Sequence, residues 1–294
     1  MTGFRSLPAI LAGLALSFPA AAPAQGSTSV EALARSTHFH GIAVDRGDPS
    51  RLYLATHHGL YAVSADGSAV RVSREAHDFM GFVPDPVDPA VLYGSGHPAG
   101  GGNLGFIVSG DGGKTWEQRA EGARGPVDFH QLDVSAADPD VMYGVFGGLQ
   151  VSRDAGRSWR LVGPAPQGLI DLAASAIARD RIYAATQRGL LVSRDAGASW
   201  MRAHPSDTPA TLVTASGDGR LYAFIVGVGL VSAGEAELAW RILQDDFGPR
   251  FILHLAVDPS NPERLYAITY HGETRESGLV ASADGGRTWR PLGR

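Results

Sequence analysis

The feature that most constrains this chain is an internal repeat that occupies nearly all of it. Each copy reads as an apolar strand, a turn, a second strand centred on a tyrosine, and a third strand closing on a serine. The copies are marked by Tyr53, Tyr93, Tyr143, Tyr183, Tyr222 and Tyr266, and by Ser64, Ser109, Ser152, Ser193, Ser232 and Ser282. One copy averages about 45 residues, enough for four short strands and their turns. A unit of this size leaves both faces of its sheet exposed, so neighbouring copies must stack.

Six such units predict an all-β fold, a six-bladed β-propeller with four-stranded antiparallel blades. The 38 glycines and 18 prolines agree with the many turns that this fold requires. The last copy ends with Trp289-Arg290-Pro291-Leu292, a segment suited to an outermost strand. Whether residues 28–36 also join that blade and close the ring stays open at this point.

The N-terminus has the pattern of a secretory signal peptide. Arg5 precedes an apolar run from Leu7 to Phe18, and small residues follow up to Ala24. A run of about a dozen residues is short for a bilayer span, which takes about 20. The pattern predicts a signal peptide at 1–24, cleavage after Ala24, and a single propeller domain at 25–294. The expected location is the periplasm or the outside of the cell, with no integral membrane segment after cleavage.

Four copies carry a sharper motif, Ser-x-Asp-x-Gly-x-Ser/Thr-Trp. Its aspartates are Asp111, Asp154, Asp195 and Asp284, whereas copies one and five are degraded. Ser and Asp side chains bond backbone amides in a tight hairpin, and the Trp ring suits packing between sheets. The chain resembles the Asp-box, or BNR-repeat, propellers over nearly its whole length. That resemblance places the motif on outer hairpins, so we interpret these four aspartates as structural.

Charge and composition remove several functions. A formal net charge of −5 and the lack of a long basic run disfavour nucleic-acid binding. The chain has no cysteine, which excludes thiolate metal sites and a cysteine nucleophile.

The histidines are unevenly distributed over the repeat. One innermost-strand position holds His40, Met80 and His130 in copies one to three, but Ile170, Thr211 and Leu253 in copies four to six. Two residues earlier, on the same strand face, stand His38, Asp78 and Asp128. With the second-strand ends, eight histidines are predicted at one rim: His38, His40, His57, His58, His77, His97, His130 and His271. The remaining two, His204 and His254, are interpreted as hydrogen-bonded structural residues.

Imidazoles accompanied by a thioether and carboxylates favour a late first-row transition metal. Histidine with methionine favours copper, whereas histidine with aspartate suits zinc. We therefore predict a copper site, with zinc as the alternative, whose ligands are His38, His40, Met80 and His130, followed by His57 and His97. Asp78 and Asp128 are expected to orient the imidazoles. Met80 also has a plain alternative as a core residue.

Two other functions stay open. Asp-box propellers include sialidases and other glycoside hydrolases, and this resemblance implies Asp78 and Asp128 as a catalytic carboxylate pair. The Arg-Ile-Pro signature of sialidases is missing, and the nearest string is Arg5-Ser6-Leu7-Pro8 in the signal segment. A looser resemblance to propellers that assemble membrane complexes, such as the photosystem II assembly factor type, implies an interaction scaffold with a protein partner. A scaffold has no need for a histidine-rich rim.

Overall fold

The protein, here a computed structural model, is described for residues 26–293. Six antiparallel sheets form a ring, in which the innermost strand of each blade contacts that of the next and the sixth contacts the first. This confirms the six-bladed β-propeller. The predicted signal peptide lies outside the described residues.

Each blade is built from one continuous stretch of chain. Blade one contains β2 (Phe39–Val44), β3 (Arg51–Thr56), β4 (Gly59–Ser64) and β5 (Ser68–Arg71), with β1 (Thr28–Ser29) added outside. Blade two contains β6 (Asp78–Pro84), β7 (Leu92–His97), β8 (Phe106–Ser109) and β9 (Glu117–Ala120). Blade three contains β10 (Gln131–Val134), β11 (Met142–Val145), β12 (Leu149–Ser152) and β13 (Arg160–Gly163).

The second half of the ring repeats this order. Blade four contains β14 (Leu169–Ala174), β15 (Ile182–Thr186), β16 (Gly189–Ser193) and β17 (Met201–Arg202). Blade five contains β18 (Ala210–Ala215), β19 (Arg220–Ile225), β20 (Gly229–Gly234) and β21 (Arg241–Gln244). Blade six contains β22 (Arg250–Val257), β23 (Leu265–His271), β24 (Ser277–Ser282) and β25 (Arg290–Pro291).

The N-terminal segment closes the ring on blade one rather than on blade six. Strand β1 pairs with β5, and the helix α1 (Val30–Ser36) follows it and contacts β24 of blade six. The Ser29 hydroxyl caps the helix by accepting from the Ala32 amide. Val30 and Leu33 are buried in a cluster that also contains residues of blades one and six. The helix thus seals the junction that has no continuous chain across it.

Apolar residues of adjacent blades interdigitate to form the core. The repeat tyrosines Tyr143, Tyr183 and Tyr222 are fully buried. Trp159 of the motif packs against Phe106 of blade two and Phe129 of its own blade, with ring centroids 5.2 and 4.7 Å apart. This confirms the packing role predicted for the motif tryptophan.

The four motif hairpins share one hydrogen-bond pattern and connect the third and fourth strands of their blades. In blade two, the Ser109 hydroxyl donates to Asp111 and accepts from the Gly113 amide, both at 2.8 Å. The other carboxylate oxygen of Asp111 accepts from the Thr115 hydroxyl at 2.7 Å. Corresponding bonds recur at Asp154, Asp195 and Asp284. These aspartates accept hydrogen bonds within their own hairpins.

In blade five, where the motif is degraded, β20 continues two residues beyond Ser232. Glu235 follows this strand and is buried. Its carboxylate accepts from the Ala176 amide and from the hydroxyls of Ser175 and Tyr183, all in blade four. A buried carboxylate thus holds two blades together near the hairpin in which the motif is degraded. Within residues 26–293, no helix is long and apolar enough to cross a membrane.

Candidate functional site

The innermost strands share a local irregularity that positions their polar side chains. In blades one, two, four, five and six, one residue is unpaired because the register with the second strand shifts there. These bulge residues are His40, Met80, Ile170, Thr211 and Leu253, and in blade three His130 directly precedes β10. A β-bulge redirects a side chain away from the regular pleat. The repeat position that holds His40, Met80 and His130 in the first three blades is therefore the bulge position of the innermost strand. Only blade three has no bulge there.

The first cluster joins blade one to blade two. His57 begins the β3–β4 turn, which the Thr56 side chain stabilises by accepting from the His58 amide and donating to the Gly59 carbonyl. Nδ1 of His57 lies 2.8 Å from Oδ2 of Asp78, and Nε2 of His40 lies 3.2 Å from both ring nitrogens of His57. We call His40, His57 and Asp78 the first triad.

The second cluster joins blade two to blade three. Nε2 of His97 and Nε2 of His130 lie 2.9 and 2.7 Å from the same oxygen, Oδ2 of Asp128. The other ring nitrogen of His97, Nδ1, lies 2.9 Å from the Gly102 carbonyl. A carbonyl only accepts, so Nδ1 of His97 carries the proton of this hydrogen bond, and Nε2 is the ring nitrogen that faces Asp128. We call His97, Asp128 and His130 the second triad.

One rule of position generates the histidine–aspartate pair in both triads. Each contains the histidine four residues after the repeat tyrosine of one blade, His57 or His97. Each also contains the aspartate two residues before the bulge position of the next blade, Asp78 or Asp128. The two histidine–aspartate contacts have nearly equal lengths of 2.8 and 2.9 Å. The fold repeat, rather than chance proximity, therefore produces the pair at two successive blade junctions.

Both aspartates keep one carboxylate oxygen without a partner. Oδ1 of Asp78 and Oδ1 of Asp128 are shielded from solvent and accept no hydrogen bond from the described residues. Nε2 of His40 is 4.0 Å from Oδ1 of Asp78. A buried carboxylate oxygen with no donor costs free energy that a cation or an added proton would recover.

The spacing of the potential donor atoms suits a small metal ion. In each triad the ligand atoms all lie within 4.8 Å of one another. Tetrahedral coordination with bonds of about 2.0–2.1 Å separates its ligand atoms by about 3.4 Å. The 3.2 Å contact between His40 and His57 is already close to that value. The shorter histidine–aspartate contacts need side-chain adjustments of about half an ångström. The donor set, two imidazoles and one carboxylate, fits a divalent transition-metal ion.

The two triads differ in exposure and electrostatics. Burial and the neighbouring His57 lower the pKa of His40 to about 4, although Asp78 opposes this. His130 is about half exposed, at 52% of its side chain, and its hydrogen bond with Asp128 raises its pKa. Asp78 also raises the pKa of His130, so the triads lie within electrostatic range of each other. His40 is accordingly more buried than His130 and stays neutral to lower pH.

The structure regroups the residues predicted as ligands. His40, His57, His97 and His130 meet in the triads, where Asp78 and Asp128 contact the imidazoles directly, at distances that suit orientation of the rings. His38 is exposed, with its ring centroid 5.3 Å from that of His57. Nδ1 of His271 accepts from the amides of Glu273 and Thr274, and His77 lies beside Phe79. The eight-histidine rim therefore contains a smaller site made by four of its histidines.

Met80 belongs to neither triad but lines the central channel. The channel encloses about 510 Å³, and Met80 shares its wall with His40, His130 and His254. His254 was interpreted from the sequence as a hydrogen-bonded structural residue, and this is wrong. Its imidazole has no hydrogen-bond partner among residues 26–293, and burial lowers its pKa to about 4. A sequence signal for His254 was available: it directly follows the bulge residue of blade six and corresponds to Gly41 of blade one.

Fold and site together define a six-bladed β-propeller with two histidine–aspartate triads at successive blade junctions. No protein-family model matches the sequence, and no curated protein matches it. Among solved structures, this chain is similar to a GH74 xyloglucanase from Xanthomonas campestris, with 22% identity and a TM-score of 0.61. A GH74 enzyme from Niastella koreensis gives 18% identity and a TM-score of 0.59.

These alignments cover 92% and 87% of this chain but 47% and 45% of the two enzymes, so the chain spans about half their length. At these identities the likeness establishes the propeller fold.

Proposed function

We propose that this propeller binds divalent transition-metal ions at the two triads and serves in metal handling in the periplasm or outside the cell. The observation that supports this most directly is that Asp78 and Asp128 each contact imidazoles through Oδ2 and keep Oδ1 shielded without a donor. The donors are nitrogen and oxygen, which suit Zn²⁺ and Cu²⁺, and Cu²⁺ generally binds such sites more tightly.

The protein's own groups perform identifiable tasks in such a site. In the first triad, His40 stays unprotonated at neutral pH because burial lowers its pKa to about 4, so no proton competes with the metal. In the second triad, the Gly102 carbonyl holds His97 in the tautomer that presents Nε2. This backing of a ligand imidazole by a carbonyl is a common outer contact at metal sites.

The test is metal binding by the chelator-treated mature protein, measured by calorimetry and native mass spectrometry with Zn²⁺ and Cu²⁺. Asp78→Asn combined with Asp128→Asn keeps the side-chain shape but removes both anionic ligands. We expect affinity to fall by roughly 100-fold or more. Asp207→Asn is the matched control, an exposed aspartate that precedes β18 of blade five. Equal binding by the double variant and the control would overturn the proposal.

Glycoside hydrolysis is the second candidate. It is favoured by Asp78, at the start of the innermost strand of blade two, and Asp128, which precedes that of blade three, in a fold shared with GH74 enzymes. Against it, each carboxylate is already in contact with imidazoles rather than free to face a sugar. Reducing-end release from xyloglucan, lost in Asp78→Asn and Asp128→Asn, would support this candidate. No release by the wild-type protein on xyloglucan and on sialylated glycans would argue against both hydrolase forms.

A further inference from the structure

The central channel contains a donor group of a different chemical kind from the triads. Met80 is the bulge residue of blade two, between His40 in blade one and His130 in blade three. It belongs to none of the six apolar clusters formed by the described residues, whereas Met142 is part of one. The alternative of a plain core residue therefore does not account for Met80.

His254 approaches the same region from blade six. It is partly buried, lines the channel with His40 and Met80, and its imidazole makes no hydrogen bond within residues 26–293. His254 and His40 lie within electrostatic range of each other. Three donors from blades six, one and two, two nitrogens and one sulfur, therefore line one cavity.

The ligand atoms of this group favour a soft ion. Apolar side chains of the innermost strands, including Ile42 and Leu255, line the same cavity together with the carboxylates of Asp133 and Asp171. A thioether beside imidazole nitrogens favours a soft monovalent ion over Zn²⁺.

We propose that Met80, His40 and His254 form a separate site for monovalent copper, Cu⁺, in the central channel. This rests on the proposed function, since it adds a soft-metal site to the divalent sites of the triads and shares His40 with the first triad. The triads take ions whose preferred ligands are nitrogen and oxygen, and the channel takes the ion that prefers sulfur and nitrogen. The propeller would then bind Cu²⁺ at the triads and Cu⁺ in the channel.

The test supplies Cu⁺ anaerobically to the chelator-treated mature protein in competition with a chromogenic Cu⁺ chelator. Met80→Leu nearly conserves volume, so folding is retained while the sulfur ligand is lost. We expect Cu⁺ affinity to fall by at least about tenfold in Met80→Leu and in His254→Leu. Met201→Leu is the matched control, because Met201 is exposed on the outermost strand of blade four. X-ray absorption should show a copper–sulfur shell in the wild type and control, and none in Met80→Leu.

Zn²⁺ binding, measured in parallel, separates the two proposals. Wild-type Zn²⁺ affinity that persists in Met80→Leu, together with a loss of Cu⁺ affinity, supports the channel site. Cu⁺ affinity that is equal in the wild type and Met80→Leu, or a wild-type copper shell without sulfur, overturns the channel site alone. Absence of both Zn²⁺ and Cu²⁺ binding from the wild type overturns the proposed function of the triads.

Discussion

The blade junctions of this propeller use buried carboxylates in two opposite ways. At the junctions of blades one to three, Asp78 and Asp128 contact histidines and each retains an oxygen without a donor. At the junctions of blades three to five, Asp133 accepts from the Ala174 amide and Asp171 from the Val213 amide. We call the first pair the histidine junctions and the second pair the backbone junctions.

The backbone junctions satisfy their carboxylates completely. Each oxygen of Asp133 and of Asp171 accepts one backbone amide, and Glu235 adds three further acceptor contacts between blades four and five. Desolvation raises the pKa of Asp133 and Asp171 to about 7. These groups serve cohesion, whereas each aspartate of the histidine junctions has one oxygen without a donor. The difference teaches that burial of a carboxylate is not itself a functional signal.

The largest expected effect is on the unfolding free energy, which should respond differently to substitutions at the backbone junctions and at the histidine junctions. Glu235→Ala leaves the Ala176 amide and two hydroxyls without their acceptor in the interior, and we expect unfolding free energy to fall by about 3 kcal/mol or more. Asp128→Asn removes a charge that already lacks one partner, and the change should stay within about 1 kcal/mol. Denaturant unfolding of the metal-free variants measures both. Equal losses in the two variants would show that the junctions do not differ as described.

The junction between blades six and one belongs to neither kind, because α1 seals it with apolar contacts. Leu33 is 4% exposed and packs in the cluster shared by these blades. Leu33→Ala should lower the unfolding free energy by about 2–4 kcal/mol through lost burial and a residual cavity. Ile242→Ala, at a side chain 57% exposed, is the control and should change little. A negligible loss in Leu33→Ala, measured by thermal and denaturant unfolding, would contradict this role of the helix.

His254 makes the second half of the ring sensitive to acid. Its folded pKa of about 4 lies below the unfolded value of 6.5, so the unfolded chain takes up the proton first. The contribution to stability is present above pH 6.5 and is lost as pH falls towards 4. Between pH 7 and pH 5 the metal-free wild type should lose about 2 kcal/mol more than His254→Leu. Parallel pH profiles for the two proteins would contradict this account.

The smallest effect compares an intact motif hairpin with the degraded one. In blade three, the buried Ser152 hydroxyl donates to Asp154 and accepts from the Gly156 amide. In blade five, the buried Ser232 hydroxyl has no partner. Ser152→Ala should therefore cost about 1–2 kcal/mol, whereas Ser232→Ala should be neutral within about 0.5 kcal/mol. Denaturant midpoints at constant m-value give the comparison, and a larger loss in Ser232→Ala would refute it.

The repeat alone was sufficient for the fold, because hydrophobic strands, turns and hairpin motifs are local signals and their period sets the blade. It also aligned His40, Met80 and His130 at one position, which the structure identifies as the bulge position of the innermost strand. The alignment likewise predicted that Asp78 and Asp128 are equivalent. What it could not predict was which side chains touch across junctions, since His57 and Asp78 are neighbours only when two blades pack.

Sequence by itself determined the six-bladed architecture, the position of the motif aspartates between strands and the concentration of histidines in the first three blades. Tertiary structure decided that the aspartates lie inside the triads, that His38 and His271 lie outside them, and that Met80 and His254 share the channel. It also decided that the N-terminal strand joins blade one. The physical reason is that strand periodicity is encoded locally, whereas solvent exclusion, unpaired oxygens and donor convergence depend on contacts between distant segments.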